Sequence, residues 1–190
     1  MPWTESLQKK GAEMTGQAYD WTKFKKMIFI DAQPEKVYQA WAQPAEIVKW
    51  FIAEAEYRTA EGELRRENEC VQAGDRYYWR WHQDLSMKGE FSAAEENRYL
   101  AFTFGEKENG TGEMIRVSVR VTQAEDGRTA LELLQDNMAD ALASYSGWHM
   151  SCNLGWSFFM TNLKAYLEHG IDLREYDPDK AYQARAISLV

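Results

Sequence analysis

The sequence predicts an α+β domain in which one long C-terminal helix and two short helices pack against an antiparallel sheet. Apolar and polar residues alternate with period two between residues 53 and 135, which marks strands with one buried and one wetted face. No helical pattern interrupts that stretch, so the crossovers that parallel pairing needs are missing. Beyond Ser144 the apolar spacing becomes three or four, which segregates helix from strand along the chain.

Residues 1–22 have weak periodicity and are predicted to be an arm that orders only by docking on a domain at 23–170. Phe24 to Asp31 is an extended apolar run, a strand. Pro34 then starts a helix, since proline at the first position fixes φ without losing a needed donor; Val37, Tyr38 and Trp41 share one face. Pro44 restarts a second short helix through Ile47 and Val48 to Trp50 and Phe51. Neither helix is long enough to stand alone, so both must lie on the sheet.

In the strand region Tyr77, Trp79 and Trp81 alternate with Tyr78 and Arg80, and Leu100, Phe102 and Phe104 with Ala101 and Thr103. Ile115, Val117, Val119 and Val121 alternate with Arg116, Ser118 and Arg120, and Leu131 and Leu133 flank Glu132. Turn chemistry at Gly74-Asp75, Glu96-Asn97, Asn109-Gly110-Thr111-Gly112 and Asp126-Gly127 makes the connections hairpins. The glycine-rich turn at 109–112 is no phosphate loop, because no helix follows it.

From Ser144 to His169 the residues Tyr145, Trp148, Cys152, Trp156, Phe159, Leu163 and Leu167 form one helical stripe. At ~1.5 Å per residue this helix is ~39 Å long and crosses a whole small sheet. Gly170 sits where a left-handed cap closes it. Residues 171–190 read as a charged tail. Leu154 and Phe158 fall on the outer face of the helix, where an apolar pair calls for a cover. The candidates are the arm with Trp3 and Trp21, the tail end Ala186-Ile187-Leu189-Val190, or a second copy in a homodimer.

Composition narrows the function classes. An apolar fraction of 45% with 8 Trp, 10 Tyr and 8 Phe supports a sizeable core. The formal charge is −8, and no basic stripe exists to displace counterions from phosphates, which excludes general nucleic-acid binding. The 2 cysteines, Cys70 and Cys152, are too few for a disulfide scaffold. With no signal-peptide pattern at the N-terminus and no membrane span, the expectation is a reducing cytoplasm.

These residues resemble the START-like (SRPBCC) superfamily, and within it the group named for the C-terminal domain of the Hsp90 ATPase activator Aha1. The resemblance rests on Pro34 to Trp41 with Lys49-Trp50-Phe51, and on Gly89-Glu90 with Arg98 to Phe104. It rests further on Gly127 to Leu133, and on Gly155-Trp156 with Met160, Leu163 and Leu167. It spans residues 24–169; Gly74-Asp75 departs from the family's double glycine, and the proline usual near Glu95-Glu96 is absent. What it implies is a helix-grip fold, a curved antiparallel sheet wrapped around the C-terminal helix, with a cavity that often takes lipid-like or polycyclic molecules. It implies little about reaction, since members include binding proteins and cyclases.

The aromatic residues either fill a core or line such a cavity. Wall candidates are Trp79, Trp81, Phe102, Trp148, Cys152, Trp156 and Phe159, with Trp50 and Phe51 as a lip and His149 as the polar contact. His149 and Cys152 lie at i, i+3, but a metal needs two further ligands and His82 and His169 share no spacing with them. A Cys–His catalytic pair would need an orienting group that the helix does not supply. Arg80 is expected on the solvated face opposite Trp79 and Trp81. No cofactor is expected. The function predicted is non-catalytic binding of a small apolar or amphipathic molecule between helix and sheet. The alternatives are a protein-interaction module of the co-chaperone kind, or a cyclase- or aromatase-like enzyme using His149 or Glu90 as its acid or base.

Overall fold

The computed structural model describes residues 19–82, 85–105 and 113–177. Seven strands form one antiparallel sheet: β1 (Phe24–Ile30), β2 (Glu54–Arg58), β3 (Arg76–Arg80), β4 (Ser86–Glu95), β5 (Tyr99–Thr103), β6 (Arg116–Gln123) and β7 (Thr129–Asp136). Their order is β1-β7-β6-β5-β4-β3-β2, a meander whose last strand pairs with the first. Burial of one face fixes the register, because a one-residue slip would turn every apolar side chain outward. Ile28 pairs with Leu131 and Tyr77 with Gly89. A would-be Cβ on Gly89 lies 2.5 Å from the Tyr77 ring. Glycine there lets that ring cross β4, so its hydroxyl donates to the Thr103 carbonyl at 2.7 Å. A bulge between Phe91 and Ala93 bends β4 and adds to the curvature.

Two short helices, α1 (Pro34–Ala42) and α2 (Pro44–Ile47), each begin on a proline, as the sequence predicts. α1 buries Val37, Tyr38, Ala40, Trp41 and Ala42. α2 ends at Ile47, short of the predicted Trp50 and Phe51, which lie in the turn that follows; the Trp50 indole donates to the Ala40 carbonyl at 2.8 Å and ties that turn to α1.

The long helix spans 28 residues and begins two residues before the predicted start. It comprises α3 (Leu142–Ser144), a π-helical turn at Tyr145–Met150 and α4 (Ser151–His169). Spacing counted at 3.6 residues per turn does not reveal the wider turn. Gly170, at φ 68°, donates to Tyr166 O and the Ile171 amide to Ala165 O, which closes the helix with paired carbonyls. Of the predicted stripe, Trp156 and Leu163 are fully buried, while Tyr145, Trp148, Cys152, Phe159 and Leu167 are half-buried at its flanks. Met160 and Asn162 are also fully buried.

Both chain extensions are partly docked. Trp21 stacks on Tyr145 with centroids 4.6 Å apart, and the Met138 amide donates to the Thr22 carbonyl. The first part of the predicted tail, residues 171–177, is a strap. Arg174 donates to the carbonyls of Ile52 and Val48, both at 2.8 Å, and the Leu173 amide donates to Asn162 Oδ1 at 2.6 Å. Trp3, the turn at Asn109 to Gly112 and the tail end Ala186 to Val190 lie outside the described residues. Among the described residues no helix is long and apolar enough to cross a membrane.

Candidate ligand site

The predicted wall residues separate into two groups. Trp50, Phe51, Trp79, Phe102 and Trp156 form one buried cluster with Trp81 and Phe159 at its edge. Phe51 is its centre. Its ring stacks on Trp156 at 5.1 Å and meets Phe159 at 4.8 Å, Trp81 at 5.4 Å and Trp79 at 5.6 Å. Trp79 in turn meets Phe102 at 5.3 Å, and Trp156 meets Phe104 at 5.4 Å. Rings at these separations are in van der Waals contact, so aromatic packing occupies the middle of the helix–sheet space. Trp156 Nε1 donates to buried Gln135 Oε1 at 2.8 Å, while Trp41 Nε1 is buried with no acceptor among the described residues.

Trp148, His149 and Cys152 form the second group, at the N-terminal half of the long helix, where Trp148 and Cys152 also pack against the first cluster. Trp148 lies over Gly105, where a Cβ would stand 2.8 Å from the indole. Burial pushes the Cys152 thiol up, against a smaller opposing effect of Gln135, which favours the neutral thiol. His149 is 2% exposed. Its Nδ1 is 3.0 Å from the Trp21 carbonyl, which can only accept, so the proton sits on Nδ1. Nε2 then accepts from the Tyr19 hydroxyl at 2.8 Å. Tyr19, Trp21 and Phe24 meet the imidazole edge-on at 5.1–5.3 Å.

An open groove of about 360 Å³ runs beside this histidine, lined by Tyr19, Trp21, His149, Met150, Asn153 and Leu154. Its polar rim is Asn153, whose Oδ1 accepts from Lys26 Nζ at 2.7 Å. Desolvation lowers the Lys26 ammonium below the usual lysine value. Tyr19, Met150 and Asn153 escaped the sequence reading. Tyr19 belongs to the arm, and the other two lie off the apolar stripe, so no periodicity marks them.

The remaining candidates do not converge on the groove. Glu90 is exposed, and Arg80 pairs with Glu54 across β2 and β3 on the face opposite Trp79. His82 packs on Tyr176, and His169 lies near Glu168 at the helix end. Among the described residues no group of three or more His, Cys, Asp or Glu is placed to hold a metal. Both nitrogens of His149 are already bonded.

Comparison with known proteins agrees with this architecture. No curated protein matches the chain. A protein from Staphylococcus saprophyticus has 19% identity and a TM-score of 0.62, over 80% of this chain and 96% of that one. The Aha1 dimer from Colwellia psychrerythraea has 18% identity and a TM-score of 0.62, over 78% and 97%. An HSP90 activator from Plasmodium falciparum has 16% identity and a TM-score of 0.55, over 77% and 96%. At these identities the likeness shows the shared fold. The family model described as Activator of Hsp90 ATPase homolog 1-like protein matches residues 31–168, and the chain belongs to that family.

Proposed function

We propose that this chain is a non-catalytic binding module that holds a small apolar or amphipathic molecule in the groove beside His149. The groove carries the reading: about 360 Å³ walled by aromatic, methionine and leucine side chains, with a histidine–tyrosine pair at its floor. That volume falls within the ~300–1,000 Å³ usual for small-molecule sites. The site expected from the sequence lay between helix and sheet, but Phe51, Trp156 and Phe102 crowd that space, which favours the outer groove. An amphipathic ligand would lie along Trp21, Met150 and Leu154 and direct its polar end to the Tyr19 hydroxyl or the Lys26 ammonium. Two free, half-buried cysteines suit a reducing cytoplasm.

Native mass spectrometry of freshly purified protein tests the reading. A co-purifying organic mass in the wild type that is lost in Met150→Glu is the expected result. A bare chain mass in both, with no change in Met150 methyl NMR signals on adding decanoate or naphthalene, would refute it.

A second reading is a protein-docking module of the co-chaperone kind. It draws on the family's description and on the bare outer face of the long helix, where Leu154 is 66% and Phe158 44% exposed. Surface docking needs no chamber, so a filled interior suits it too. Stimulation of an Hsp90 ATPase by the wild type and not by Phe158→Glu would support it; no stimulation at any ratio would remove it.

A further inference from the structure

Between Asp140 and Lys164 the chain has no Asp, Glu, Lys or Arg, although 27% of the whole is charged. On the outer side of that stretch Met150, Leu154 and Phe158 are 52%, 66% and 44% exposed at successive i, i+4 steps. A parallel row of small residues, Gly147, Ser151 and Gly155, runs beside them, and a Cβ built on either glycine meets nothing within 4 Å. The helix's own contribution to this face is thus apolar and uncharged, with Lys26 of β1 at its edge on Asn153 and Ser157, and it is low enough for another backbone to approach closely.

We propose that this face pairs with itself in a homodimer, two copies of the long helix packing antiparallel about a two-fold axis at Leu154. The same packing roofs the open side of the His149 groove, a part of the proposal that rests on the binding reading above. The row is self-complementary. Met150 and Phe158 stand one turn on either side of Leu154, so antiparallel pairing sets Met150 against the partner's Phe158 and Leu154 against the partner's Leu154. An isologous contact has this form.

Charge selects the partner. The chain carries −8, so a second copy is repelled everywhere except where the meeting surfaces are neutral. Among the described residues a basic peptide would find no carboxylate on the Met150–Leu154–Phe158 row, and the Lys26 ammonium beside it is already held by Asn153 Oδ1 and Ser157 Oγ, which leaves an anionic lipid surface little to pair with. The complementary object is a neutral helix with apolar residues at i, i+4 and i+8, which the chain itself possesses. Antiparallel pairing also sets the two helix dipoles head to tail.

Two readouts test the pairing. Light scattering of the full chain is expected to give twice the 22.1 kDa chain mass for the wild type and the single-chain mass for Phe158→Glu, which lies outside the groove. Mild oxidation of Leu154→Cys is expected to give a covalent dimer across the axis, while Phe29→Cys on the opposite face of the sheet gives none. A wild type at the single-chain mass, or no cross-link at position 154, would overturn the dimer. Faster thiol labelling at 154 in a monomer lacking residues 1–18 would assign the face to the arm instead, which also overturns it. The two proposals fail separately: a dimer without bound organic mass removes only the ligand, and a monomer that retains it removes only the pairing.

Discussion

The Phe51 ring stacks on the Trp156 indole with centroids 5.1 Å apart and planes at 24°. The two residues are far apart in the chain, and their contact fills the space where a chamber was expected. Truncating Trp156→Ala should cost about 3–5 kcal/mol, from lost burial and the cavity left behind. Urea unfolding measures the loss, and added indole should raise the melting temperature of the variant alone. A loss near zero would mean that the ring does not fill the interior.

Asn162 is fully buried; it donates to the Trp50 carbonyl at 2.7 Å and to Asp172 at 3.0 Å, and accepts from the Leu173 amide at 2.6 Å. Asn162→Ala leaves buried groups unpaired and should cost about 3 kcal/mol. Hydrogen exchange at the Leu173 amide should accelerate well beyond that at Val119 in the sheet. Equal acceleration at both positions would place the damage in global stability rather than in the strap.

Asp172 ties the same strap. Burial pushes its carboxyl up, but donors from Arg174, Tyr176 and Asn162 outweigh that and hold it well below the ordinary carboxylate range. A group depressed in the folded state contributes stability above its unfolded value of ~3.9 and loses it as the pH falls further. The urea midpoint of the wild type should therefore converge on that of Asp172→Asn as the pH drops from ~4 to ~2. A constant gap across that window would contradict the assignment.

Gly105 has φ 110°, and a Cβ there would meet the Trp148 ring at 2.8 Å. Gly127 has φ 86° with open space around it. Both alanine variants incur backbone strain of about 1–3 kcal/mol, and only Gly105→Ala adds a steric clash. Its melting temperature should fall further, with a change in near-ultraviolet circular dichroism as Trp148 moves. Equal losses at the two glycines would show that Trp148 is not seated there.

Part of this was legible in the residues themselves. Trp79 inward and Arg80 outward follow from strand alternation, since a buried face forces period two. Trp156 and Leu163 inward follow from helical spacing, and the Gly170 cap from its place after the last apolar turn. Periodicity reports which face is covered. It does not report what covers it, so His149 was legible as a polar residue of the long helix and was expected to contact a ligand, while its partners Tyr19 and Trp21 were not legible.

By itself, then, the sequence determined the order of elements, the antiparallel pairing, the inward side of the long helix and its end, because each follows from local backbone geometry and the exclusion of apolar surface from water. Only the tertiary structure decided that Phe51 fills the space under Trp156, that Asn162 and Arg174 fasten residues 171–177, and that the open groove lies outside beside His149. Those outcomes depend on whether side-chain volumes from distant segments fit together, and that sum exists only once the chain is folded.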